Sequence, residues 1–122
     1  MKQWRQSRIH SFKNAFSGIW FNMMNEPNFL IQLAVAIVVV IAGLIFKISN
    51  AEWLILIIGI GGVLSAEAMN TSVEKICDRF LDEKDPMVKK IKDSSAAAVL
   101  LFSLAAAVAG VIIFLPRIID LF

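Results

Sequence analysis

Two stretches of the chain, Asn28–Phe46 and Ser94–Leu115, run for a membrane's width almost without charge. A third, Trp53–Ala66, is shorter but continues at helical spacing through Glu67 to about Ile76. About 20 apolar residues, rising about 1.5 Å each, cross the roughly 30 Å hydrocarbon core of a bilayer. The pattern therefore predicts three membrane-spanning helices, over about 28–47, 52–76 and 94–116, with a loop over 77–93. A soluble bundle needs a polar face repeating through each run, and 94–115 has none.

The start, "MKQWRQSRIH", has charge but no apolar core behind it and is no signal peptide. Downstream, Ile9, Phe12, Phe16, Ile19, Trp20 and Met23 recur at helical spacing, while Lys13, Asn14 and Ser17 fall off that stripe. This predicts an amphipathic helix over about 8–24, lying on the membrane surface. The expected fold is an all-α membrane protein, one surface helix followed by three spans.

Composition agrees with that reading. The 122 residues make one domain, 58% hydrophobic yet 18% charged, so the charges are segregated from the apolar runs. Lys and Arg are distributed as four before the first span (Lys2, Arg5, Arg8, Lys13) and one after it (Lys47). Six follow the second span (Lys75, Arg79, Lys84, Lys89, Lys90, Lys92) and one closes the chain (Arg117). The positive-inside rule puts the N-terminus and the 77–93 loop in the cytoplasm and the C-terminus outside. Such a basic face suits anionic headgroups or a polyphosphate. No motif or basic-aromatic array supports nucleic acid as a partner. The single Cys77 forms no internal disulfide and reads as a small packing residue.

The chemistry is concentrated in "AEAMNTSVEKICD", residues 66–78. At about 100° per residue, Glu67, Asn70, Thr71, Glu74 and Asp78 fall within an arc of about 100°, along roughly 16 Å of helix. An ionised carboxylate inside a span costs several kcal/mol and usually marks function. The structural alternative is a polar clamp between helices, or a snorkelling end in the case of Asp78. Carboxylates, an amide and lysines at a membrane edge suit phosphoryl transfer, in which carboxylate-held metal neutralises phosphate charge and a base takes the acceptor's proton. There is no P-loop: "GIGG" at 59–62 lacks a following Lys-Ser/Thr, and those glycines read as close-packing sites between helices. One His and one Cys supply neither a nucleophile pair nor a zinc site.

Two further stretches add candidates. In "NEPNF", Glu26 precedes Pro27 at the mouth of the first span, where the helix dipole alone also favours a carboxylate. In "KKIKDSSAAAVLL", Lys92, Asp93 and Ser94 open the third span, either as an N-cap with a loop lysine or as a phosphate clamp.

The run Glu67–Asp78 resembles the E-x-x-N-T/S-x-x-E-x-x-x-D signature of the small prokaryotic membrane diacylglycerol kinases and their undecaprenol kinase relatives. Lys92-Asp93 before "AAAVLL", and "FSGIW" followed by "NEPNF", extend the resemblance over roughly residues 9 to 115. It implies an ATP- and Mg²⁺-dependent lipid kinase of the prokaryotic cell membrane, a homotrimer with active sites shared between subunits. On that resemblance Glu67 is the general base facing the lipid hydroxyl, and Glu26 and Glu74 are the magnesium carboxylates. Asn70 braces the site, while Lys92, Asp93 and, from the N-terminal arm, Arg8 are the phosphate- and nucleotide-binding candidates. The acceptor is a lipid alcohol, undecaprenol or diacylglycerol; "ISNAEWLILI" looks more like the undecaprenol branch. Leu30 and Gln32 stand where the family often has Arg and then Glu or His, and Lys84-Asp85 replace its Tyr-His before Pro86. Two other readings stand beside this one: a silent or regulatory relative, and a small ion-coupled carrier using Glu67.

Overall fold

The computed structural model describes residues 1–122 as four helices and no strand: α1 (Lys2–Asn25), α2 (Pro27–Phe46), α3 (Asn50–Phe80) and α4 (Pro86–Ile119). The last three are long and apolar enough to cross a membrane. With 31 and 34 residues, α3 and α4 outrun the bilayer's apolar core. Their charged ends therefore project from it on one side.

Each break between helices has a local cause. Glu26 is extended (φ −118°, ψ 103°), and Pro27, with its ring-fixed φ, starts α2. Lys47 turns left-handed (φ 52°) to end α2, and the Ile48 N–H closes back on the Gly43 carbonyl at 3.2 Å. Ser49 and Glu52 then form a reciprocal capping box: Ser49 Oγ accepts from the Glu52 N–H at 3.2 Å, and Glu52 Oε1 accepts from the Ser49 N–H at 3.0 Å.

The connection between α3 and α4 is shorter than the predicted loop over 77–93. It shrinks to Leu81–Asp85, because Asp85 accepts from the Met87 N–H at 2.9 Å and Pro86 follows as the first helical residue. Asp93 and Ser94 therefore lie inside α4, not at its start, and the N-cap reading of Asp93 is overturned. Hydropathy marks where the apolar stretch begins; the cap sets where the helix begins.

The end of the bundle far from the α3–α4 turn is the packed one. Ile48, Leu56 and Ile113 are buried together, with Val39, Phe46, Trp53 and Phe114 against them. Arg117 closes it with two bonds to the Glu52 carboxylate, both 2.8 Å, and a third to the Ile113 carbonyl. Along α3 and α4 the approach is close at two of the three glycines of "GIGG": Gly59 faces Ala106 and Gly62 lies under the Phe102 ring, while Gly61 faces open space. Cys77 is buried, as a packing residue would be. By contrast Phe12, Phe16 and Trp20, on the apolar stripe of α1, are exposed. Only 12 of the 122 residues are buried, so lipid or other chains have to cover the apolar helix faces.

A Cβ at position 62 would stand 1.9 Å from the Phe102 ring. Gly62→Ala should therefore push that ring out and lower stability by about 1–3 kcal/mol. Gly61→Ala should change it by less than about 0.5 kcal/mol. Unfolding of both variants in detergent micelles, followed by circular dichroism, checks the pair; equal stabilities would refute the close approach.

Candidate active site

The helical periodicity of α3 puts Glu67, Asn70 and Thr71 inward, and all three are buried, at 4%, 7% and 4% exposure. They meet α2 through a pocket of about 340 Å³, lined by Asn28, Gln32, Glu67, Asn70 and Glu74 and, from α4, by Ala96, Val99, Leu100 and Ser103. Gln32 Nε2 donates to Glu67 Oε2 at 3.5 Å, across 35 residues of sequence. Asn70 Nδ2 donates to Glu74 Oε1 at 3.3 Å, one turn along α3. A carboxylate only accepts, so each amide must turn its NH₂ toward its carboxylate. The carbonyl oxygens of both amides, Gln32 Oε1 and Asn70 Oδ1, are then left buried without a donor.

Glu26 sits at the α1–α2 break and pairs with Lys75 Nζ at 3.3 Å. The same ammonium lies 5.5 Å from the Phe21 ring centre, so Lys75 ties the end of α1 to α3. Glu74 lines the same pocket as Glu67. No three His, Cys, Asp or Glu side chains gather in metal-ligand geometry. The donor set still fits Mg²⁺ held jointly with a phosphate, since that ion commonly takes one or two carboxylates and completes its octahedron with phosphate oxygens and water.

The remaining predicted residues lie outside the pocket. Lys92 crosses from α4 to Asp78 on α3, Nζ to Oδ1 at 2.7 Å, one turn beyond Glu74 on the same stripe. Asp93 is exposed and pairs with Lys89 on its own helix. Arg8, far back on α1, stacks over Trp4, its guanidinium carbon 4.6 Å from the ring centre. One chain thus assembles Glu67, Asn70 and Glu74, keeps Glu26 and Lys92 beside them, and leaves Arg8 and Asp93 apart.

The sequence pattern did not single out the amides Asn28 and Gln32 or the α4 residues Ala96, Val99, Leu100 and Ser103 as lining the pocket. Gln32 stood out there only as a departure from the family pattern. The available signal was two amides one helical turn apart in an otherwise apolar span, which places them on one face.

Beside the polar pocket runs a second, apolar groove of about 540 Å³ between α2, α3 and α4. Its walls include Val35, Val39, Leu56, Ile60, Ala106 and Phe114, and it shares Gln32 and Ser103 with the polar pocket. The two spaces therefore meet beside Glu67.

Comparison with known proteins identifies the family. The sequence model described as "Prokaryotic diacylglycerol kinase" matches residues 13–114. The undecaprenol kinase of Bacillus subtilis (strain 168) is 38% identical over 108 residues, 88% of each chain. A diacylglycerol kinase of Synechocystis sp. is 28% identical over 112 residues, 91% of this chain and 64% of that one. With the family model covering most of its length, a relative 38% identical over 88% of each chain and three helices long and apolar enough to cross a membrane, the chain belongs to the prokaryotic diacylglycerol kinase family of membrane lipid kinases.

Proposed function

We propose that this lipid kinase transfers the γ-phosphate of ATP to the primary hydroxyl of a membrane lipid alcohol, undecaprenol first and diacylglycerol second. The observation that carries the reading is the position of Glu67, at the seam where a carboxylate-lined pocket meets an apolar groove. A lipid alcohol has that same division: one polar hydroxyl on a long apolar chain. The higher identity to the Bacillus subtilis undecaprenol kinase favours the polyprenol.

In this mechanism Glu67 accepts the hydroxyl proton as the lipid oxygen forms its bond to the γ-phosphorus. The bond from that phosphorus to the β–γ bridging oxygen breaks, and ADP leaves with the bonding pair. Burial among apolar side chains excludes water, so the lipid hydroxyl rather than water meets the phosphorus. Glu26 and Glu74 are the side chains that would hold Mg²⁺ with the nucleotide, where the ion would neutralise charge on the phosphate oxygens. Asn70 keeps the Glu74 carboxylate in place, and Lys92 carries positive charge to the phosphates.

Arg8 and Asp93, which do not reach the pocket of their own chain, fit a homotrimer in which neighbouring subunits complete each other's sites. The exposed apolar residues of α1 fit a helix lying on the inner leaflet. The Lys and Arg distribution supports an orientation with the N-terminus and the α3–α4 turn in the cytoplasm and the C-terminus outside.

Transfer of labelled phosphate from γ-ATP in mixed micelles tests the reading, with undecaprenol and diacylglycerol offered side by side. Glu67→Gln should cut kcat by roughly several hundredfold with ATP binding little changed, as loss of a general base does. Activity within about tenfold of the parent would remove Glu67 from that role. No transfer to either lipid from folded protein would favour a silent relative. Glu74→Gln should raise the Mg²⁺ concentration needed for half-maximal rate by about tenfold, the scale on which lost ligand support weakens metal sites. An unchanged metal titration would refute the ligand role.

A further inference from the structure

Gln32 is the one side chain from another helix that hydrogen-bonds Glu67, its Nε2 lying 3.5 Å from Glu67 Oε2. It also lines both the polar pocket and the apolar groove, as only Ser103 does besides. Its carbonyl oxygen Oε1 is buried without a donor. A half-satisfied buried amide remains unfavourable until a donor reaches it.

Resting on the proposed role of Glu67, we infer that Gln32 is a positioning residue for the proton-accepting carboxylate. It holds Oε2 from α2 and leaves Oε1 of Glu67 to face the acceptor hydroxyl. The arrangement survives the reaction. When the lipid O–H proton moves to Glu67 Oε1 and the new O–P bond forms, Oε2 becomes a carbonyl oxygen and still accepts from Gln32.

The test is a double-variant cycle on phosphate transfer to undecaprenol, using the full chain in mixed micelles. Gln32→Met, similar in size without the hydrogen bond, should lower kcat about 10- to 100-fold, the rate equivalent of one bond to a charged group. The KM for ATP should stay within about twofold, because the nucleotide's ligands are untouched. In a Glu67→Gln background the same substitution should cost less than about threefold, since a residue acting through Glu67 has nothing left to position. Gln32→Asn, which keeps the amide but withdraws it by one methylene, should behave like Gln32→Met and replaces it if that variant folds poorly. A kcat above about one third of the parent's, or equal losses in both backgrounds, overturns the inference while leaving the kinase reading intact. A parent protein that phosphorylates no lipid alcohol overturns both.

Discussion

A carboxylate enclosed by apolar helices needs a hydrogen-bond donor, because neither water nor lipid supplies one reliably there, and Glu67 takes its donor from α2. That contact joins two helices at the depth where the polar stripe begins. It also explains why an otherwise apolar first span carries amides. Asn28 and Gln32 lie one turn apart on the face that meets the stripe. The same logic repeats along α3, where Asn70 serves Glu74. Each carboxylate of the pocket thus has its own amide, and each amide keeps one unpaired carbonyl oxygen for whatever enters.

The two ends of the bundle are built for opposite tasks. At one end, aromatic and aliphatic side chains from α2, α3 and α4 interlock, and Arg117 fastens α4 to the capping box that starts α3. Few polar groups there are left unpaired. Toward the other end the helices enclose the polar pocket, and the apolar groove runs from it back to the packed residues Leu56 and Phe114. Packing at one end fixes the helix positions from which the carboxylates at the other project.

The charged groups around the pocket are held by pairs of a different kind. Lys75 with Glu26 and Lys92 with Asp78 are ion pairs with exposed members, which water screens and which contribute little to folding. A phosphate offers such a lysine charge-assisted bonds of the same kind. Under the proposed function these cations can exchange partners at small cost when a nucleotide arrives, whereas the buried Glu67–Gln32 contact stays fixed. Asp93 is also engaged, with Lys89, so a role at a neighbouring subunit's site would require it to change partners.

Much of this was legible in the chain itself. Hydropathy fixed the spans, and the 3.6-residue repeat put Glu67, Asn70 and Glu74 on one side of α3, since both are properties of a single helix. The start of α4 was legible too, in Asp85-Pro86, but apolarity alone hides it because that helix begins before the membrane does. What no single helix could decide was which residue of α2 faces Glu67, or that Lys92 would reach Asp78 across fourteen positions. Periodicity assigns faces within a helix; only side-chain packing between helices sets their rotation and register. Gln32 therefore looked like a departure from a pattern until tertiary structure set it against the buried carboxylate.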